Sequence, residues 1–325
     1  MNRSAVPPPV TQVMDAAQAW LPRRMGAVEE RLRELLAGHG DLLGQEAGAT
    51  LEAGGKRLRP MLVLVCAGPD AEDRAIRGAT AIELVHMATL VHDDVLDAAP
   101  LRRGLPTVVA RTGRQTATSV GDLLFSRAFA ELAGNGGSER QVALLTGASV
   151  ALARGELAQR QDAFDPGISA ERYLERCRLK TARLFECACL VGRDDPALDE
   201  PLTSYGREIG LAFQLLDDVL DVTGPPERTG KARGTDLLDG TVTLPLILAR
   251  ERDPELGQLD LEALDAAAAE AVCDRIEASG VLEDVRSDAR ARVGRAKDVL
   301  GQASIDPARR ELLSLVADGV VERYA

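Results

Sequence analysis

Asp93-Asp94-Val95-Leu96-Asp97 and Asp217-Asp218-Val219-Leu220-Asp221 spell the same word, DDVLD, twice in one chain. Each copy closes an apolar run, TLVH before the first and FQLL before the second. The word places carboxylates at i, i+1 and i+4, and on a helix i and i+4 share a face. Like charges so placed destabilise a bare helix and call for a neutralising partner. Hard divalent cations meet that need, and Mg²⁺ takes one or two carboxylates together with phosphate oxygens and water. Two facing copies would hold a group of such ions around a phosphorylated ligand.

Outward from the two motifs, helical periodicity dominates from Val10 onward. Gly- and Pro-rich punctuation divides the chain into helix-sized segments at 59–68, 76–98, 115–133, 139–160, 170–192, 201–222 and 241–251. Residues 260–325 read as three further helices, more charged and peripheral. No alternating strand pattern and no linker interrupts the series. The expectation is one large all-α domain over 11–325, preceded by a flexible arm over 1–10.

The composition sets limits. In 325 residues, 45% hydrophobic content is ample for a core, and 3% aromatic content leaves its filling to Leu, Ala and Val. A net charge of −12 argues against a nucleic-acid partner. The five cysteines are scattered and odd in number, as in a reducing compartment. Cys187-x-Cys189 has no second pair to complete a zinc site, so all five read as buried helix residues. The start, MNRSAVPPPV, lacks an apolar leader, and no run reaches the roughly 18 residues of a membrane span. A cytoplasmic protein without a transmembrane segment is expected, one that a lipid product could bring to a membrane surface.

The first motif ends a helix on which His86, Asp93 and Asp97 fall within a stripe roughly 40° wide, with Asp94 turned aside. Pro100 stops that helix and Arg102-Arg103 follow. Two readings of these arginines stay open: ion pairs with the aspartates, or bidentate contacts to a diphosphate. The second motif repeats the stripe with Gln214, Asp217 and Asp221. The Gly- and Pro-rich loop after it carries Lys231, placed to fold over an anion as a lid. Only four of the 39 basic residues are lysines: Lys56, Lys180, Lys231 and Lys297. A lysine kept against that background suggests a need for a compact ammonium. Lys56 and Arg59, in Gly54-Gly55-Lys56-Arg57-Leu58-Arg59-Pro60, open a helix, where backbone amides and the helix dipole favour an anion. Lys180-Thr181 adds a cation and a hydroxyl. Together these groups suffice for two diphosphates, one gripped through metal and one gripped directly.

In combination and order, GGKRLRP, HMATLVHDDVLDAAPLRRGLPT, GDLLFSRA, RGELAQ, KTARLF, FQLLDDVLD and GKARGTDLLDGTVTLPLI resemble the motifs of the trans-isoprenyl diphosphate synthases, or polyprenyl synthetases. The likeness runs from about Gly54 to Leu248. It implies the isoprenoid synthase fold, an all-α barrel of helices around a deep central cavity, in a homodimer. The implied reaction condenses isopentenyl diphosphate with an allylic diphosphate. By the resemblance, Asp93 and Asp97 bind Mg²⁺ from one wall and Asp217 and Asp221 from the other, with three ions when substrate is bound. Lys56, Arg59, His86 and Arg103 would hold isopentenyl diphosphate. Arg102, Lys180, Thr181, Gln214 and Lys231 would hold the allylic diphosphate. Asp93, Asp97, Asp217, Lys180 and Arg102 would carry the catalysis.

Ala88 and Thr89 stand five and four positions before Asp93, where short-chain members place an aromatic floor. Their small size implies a product of C20 or longer, with Phe125 or Phe129 as a deeper floor. One departure is Asp239-Gly240-Thr241, where the family commonly has Glu-Gly-Lys, so a cation is missing from the third motif.

Rival readings lose on specific residues. A terpene cyclase of the same fold would not need Lys56 and Arg59 for a second diphosphate. A di-iron bundle needs two Glu-x-x-His motifs, and only Glu83-Leu84-Val85-His86 is present. A non-catalytic subunit of a heteromeric synthase would lack the aspartates.

Overall fold

The computed structural model describes residues 8–37, 41–55, 57–68, 71–102, 104–134, 137–193, 195–224 and 233–322. Almost every segment is helical. Helices α1 (Pro8–Ala16), α2 (Leu21–Leu36) and α3 (Asp41–Glu52) lead into α4 (Leu58–Ala67) and the long α5 (Glu72–Leu96). A two-residue hairpin, β1 (Leu101–Arg102) with β2 (Leu105–Pro106), follows the first acidic motif. Then come α6 (Val108–Thr112), α7 (Arg114–Ala133) and α8 (Glu139–Gln161). Next, α9 (Ala170–Cys177) and α10 (Arg183–Leu190) are joined by a π-helical turn over Arg178–Ala182. The second motif ends α11 (Asp199–Thr223), followed by the short α12 (Thr235–Leu238) and α13 (Leu244–Arg252). The chain finishes with α14 (Ala266–Ala278), α15 (Val281–Gln302) and α16 (Pro307–Glu322). The first helix thus starts at Pro8, inside the stretch expected to be an arm.

Local chemistry starts several of these helices. The side chains of Thr107, Ser138, Ser169 and Asp265 each accept a backbone N–H three residues on, satisfying a donor left open by the first turn. The core is aliphatic, as the scarcity of aromatics requires; Tyr173, Tyr205 and Phe185 are among its few large rings. All five cysteines are buried and unpaired.

The two motif-bearing helices are the axes of the packing. α5 lies along α7, and α11 lies along α15 and α10. α15 is therefore not peripheral, as its charge suggested. Val281, Val285, Ala289, Val293 and Ala296 form a buried stripe at helical spacing, and the charges occupy the remaining faces. Two glycines bring the π-turn close to its neighbours. A Cβ at Gly155 on α8 would lie 2.5 Å from the Lys180 nitrogen, and one at Gly210 on α11 would lie 2.6 Å from the Ala182 Cα. Among the described residues no helix is long and apolar enough to cross a membrane.

Candidate active site

In both motifs the outer aspartates are accessible and the middle one is buried. In the first, Asp93 is half-buried, Asp97 is exposed and Asp94 is only 4% exposed. In the second, Asp217 is exposed, Asp221 is half-buried and Asp218 is only 2% exposed. The i and i+4 carboxylates share the accessible face, and the middle aspartate turns inward, as helical geometry requires.

Each inward aspartate has protein partners. Asp94 Oδ1 accepts from Arg102 Nε and Nη2, both at 2.8 Å. The hairpin directs Arg102 back to the motif that precedes it. Of the two readings of this arginine, the ion pair is present, and Nη1 is not used in it. On the other side, Asp218 accepts from the Tyr173 hydroxyl through Oδ2 and from Gln214 Nε2 through Oδ1 at 2.8 Å. Burial pushes the Asp218 carboxyl well up, and the nearby Asp236 adds to this; the Tyr173 and Gln214 donors oppose it.

The π-turn links the two motifs. Lys180 Nζ sits 2.5 Å from Glu156 and donates to Gln159 Oε1 at 3.2 Å, both on α8. It also interacts electrostatically with Asp93 and Asp97. The next residue, Thr181, donates from its hydroxyl to Gln214 Oε1 at 2.7 Å. Consecutive side chains thus serve opposite acidic motifs. π-turns recur at functional sites because the wider winding allows such placements.

Burial pushes the Asp93 carboxyl from the usual 3.8 up to about 6; Lys180 opposes this, while Glu156 and Asp97 reinforce it. A carboxyl that holds its proton more tightly in the folded than in the unfolded chain costs stability as pH rises between those values. The cost should reach about 2–3 kcal/mol above pH 6. In urea denaturation with a chelator present, Asp93→Asn should therefore equal the parent near pH 4 and exceed it at pH 7. A constant difference across that range would exclude the effect.

The other expected site residues fall into three groups. The Arg59 guanidinium lies over Phe185 at 4.7 Å and Phe213 at 5.9 Å from the ring centroids. Stacking of this kind directs the planar N–H fork edgewise. His86 is half-buried on α5, where its carbonyl accepts from the Thr89 hydroxyl at 2.8 Å. Ala88 is fully buried, whereas Thr89 and Phe125 are half-buried. Phe125 stacks on His92 with centroids 5.8 Å apart. Lys56, Arg103 and Lys231 lie outside the described residues, as does most of the loop expected to act as a lid.

Four features were missed at the sequence level. Glu156 and Gln159, at i and i+3 on α8, present one face to Lys180; that spacing was the available signal. Tyr173 gave no local hint of its partner. Arg57 opens α4 at φ 48°, held there by Glu29 at 2.5 Å, Glu83 at 2.6 Å and the Leu51 carbonyl at 3.1 Å. This left-handed conformation, costly for a residue with a Cβ, sets the chain direction beside position 56. Finally, the third motif is pinned at Gly240, whose carbonyl accepts the Phe164 N–H at 2.8 Å.

The donor set fits a hard cation of limited protein coordination. Among the described residues no three metal-binding side chains converge to hold an ion alone. Paired carboxylates at i and i+4 offer the one or two oxygens that Mg²⁺ takes when phosphate and water complete its shell.

Comparison with known proteins gives concordant findings. A family model described as Polyprenyl synthetase matches residues 41–277. Heptaprenyl diphosphate synthase component 2 of Geobacillus stearothermophilus is 40% identical over 73% of this chain and 75% of its own. Octaprenyl diphosphate synthase of Escherichia coli is 35% identical over 90% of this chain and 93% of its own. A crystal structure of polyprenyl synthase from Caulobacter crescentus, complexed with calcium and isoprenyl diphosphate, superposes with a TM-score of 0.90 at 33% identity, covering 99% of both chains.

Proposed function

The chain belongs to the polyprenyl synthetase family, and from that premise we propose that it extends an allylic diphosphate with isopentenyl diphosphate into an all-trans polyprenyl diphosphate of C20 or longer. The observation that carries the reading is the pair of acidic motifs joined through Lys180 and Thr181. The long-chain end of the range is supported by the small residues Ala88 and Thr89 and by the names of the hepta- and octaprenyl relatives.

In this reading Lys180, Arg102, Lys231, Thr181 and Gln214 bind the allylic diphosphate, and Lys56, Arg59, His86 and Arg103 bind isopentenyl diphosphate. Asp93 and Asp97, opposite Asp217 and Asp221, would hold three Mg²⁺ ions with substrate. When bound, these ions supply Lewis-acid neutralisation of the departing diphosphate. Lys180 and Arg102 place fixed positive charge where negative charge grows as the allylic C–O bond breaks. The bond's electron pair leaves with pyrophosphate. Isopentenyl diphosphate, its diphosphate held by the second cation group, presents its double bond, whose π electrons attack the allylic carbocation to form the new C–C bond. No side chain among the described residues is an evident base, so the departed pyrophosphate takes the proton that restores the alkene.

Assembly is read as a homodimer. Val150 and Leu157 on α8 are 55% and 62% exposed. Seven positions apart, they share one face, an apolar stripe suited to a second copy. The Geobacillus relative is named as a component, so a companion chain is the alternative occupant.

The test is mass spectrometry of products made by the isolated chain from isopentenyl diphosphate, each allylic primer and Mg²⁺. A ladder ending at C20 or beyond is expected. A hydrocarbon formed from the allylic substrate alone, termination at C15, or no product without a companion would each overturn part of the reading.

A further inference from the structure

Tyr173, Asp218, Gln214 and Thr181 form an unbroken hydrogen-bonded chain from buried core to candidate diphosphate site. Tyr173 is 1% exposed, its ring faces the Arg176 guanidinium at 5.6 Å, and its hydroxyl donates to Asp218. Arg176 is anchored to Asp162 at 3.4 Å and to the Val242 carbonyl, so the tyrosine has little freedom to move. Asp218 then accepts from Gln214 Nε2, and Gln214 Oε1 accepts from Thr181.

The consequence lies in the amide. With Oδ2 taken up by the Tyr173 hydroxyl, Asp218 turns Oδ1 to the nitrogen end of Gln214, and the oxygen end of the amide accepts from the Thr181 hydroxyl. One amide N–H is used by Asp218, and among the described residues the other has no partner. A flipped amide would present its oxygen where the nitrogen now stands, and an oxygen repels phosphate.

We propose that Tyr173 and Asp218 are positioning residues that hold Gln214 with an N–H, rather than its oxygen, available to the allylic diphosphate. The assignment rests on the reading of the site given above. Each oxygen of the middle aspartate of the second motif is thereby engaged inside the protein.

The test uses the full chain and the variants Tyr173→Phe and Asp218→Asn. Tyr173→Phe keeps the buried ring and removes the hydroxyl alone. It should raise KM for the allylic primer about tenfold, the worth of one good hydrogen bond to an anion, and leave KM for isopentenyl diphosphate within twofold. Calorimetric binding of inorganic pyrophosphate in Mg²⁺ should weaken by a similar factor. Asp218→Asn, which offers donors to Gln214 and Tyr173, should show a larger effect in the same direction. Tyr173→Phe carries the test by itself if Asp218→Asn does not fold. Equal rises in both KM values would mark a merely structural role and overturn the assignment, as would unchanged pyrophosphate binding. A parent chain that makes no polyprenyl product would instead sink the functional reading. A parent that condenses normally while Tyr173→Phe behaves identically sinks only the assignment.

Discussion

Asp93→Asn is expected to lower kcat by at least about a thousandfold while leaving the fold intact. Removing a group that stabilises charge in the transition state costs 10²–10³ in rate for a neutral donor, and a lost cation ligand should cost more. Asp93 lies where the first motif meets the π-turn, and the nearby carboxylate of Glu156 is paired with Lys180. Asp94 is engaged with Arg102. The same substitution removes a desolvated charge, so the metal-free variant should be the more stable protein at pH 7. Opposite movement of activity and stability is the diagnostic feature, since functional sites often retain groups that weaken the fold. Steady-state kinetics with chelator-treated protein titrated with Mg²⁺, beside urea denaturation, would read both. Activity within tenfold of the parent would remove Asp93 from the proposed machinery.

Thr89→Phe should cut the product from a long chain to about C15–C20 without loss of turnover. Thr89 is one turn before Asp93 on the same face of α5 and is half-buried, so a ring there would close the path of a growing tail. Ala88→Phe should shorten the product too, at a greater cost. Ala88 is fully buried, and enlarging a packed position typically costs 1–3 kcal/mol. Mass spectrometry of extracted products separates the two, with thermal denaturation as the second axis. An unchanged product ladder in both variants would place the floor deeper, toward Phe125 and Phe129.

Much of this was legible in the chain. The limits of α5 and α11 follow from apolar periodicity and flanking Gly and Pro, and the duplicated DDVLD reports its own face through the i, i+4 rule. What the sequence left open was pairing. Arg102 beside three aspartates could have faced protein or ligand, and local order does not distinguish the two. Glu156 meets Lys180 only because Gly155 admits the Lys180 backbone, a contact invisible to periodicity. Tyr173 and Asp218 are 45 residues apart, and nothing near either one names the other. The burial of α15 was misread because charge density was taken for exposure, although its apolar stripe at Val281, Val285 and Ala289 was present in the sequence.

The π-turn at Arg178–Ala182 has a consequence for how this chain tolerates change. An α-helix advances about 100° per residue. Deleting one residue from the turn would let it rewind as ordinary helix with α10 in nearly its present orientation, because four α-wound residues sweep about the same angle as five π-wound ones. Phe185 would stay under the guanidinium of Arg59 and Glu186 beside Arg207, while Lys180 and Thr181 would lose the placement that serves Glu156 and Gln214. The additional residue acts as a local pouch that spreads two adjacent side chains without turning the rod that follows. A one-residue deletion at this bend should spare folding and abolish turnover.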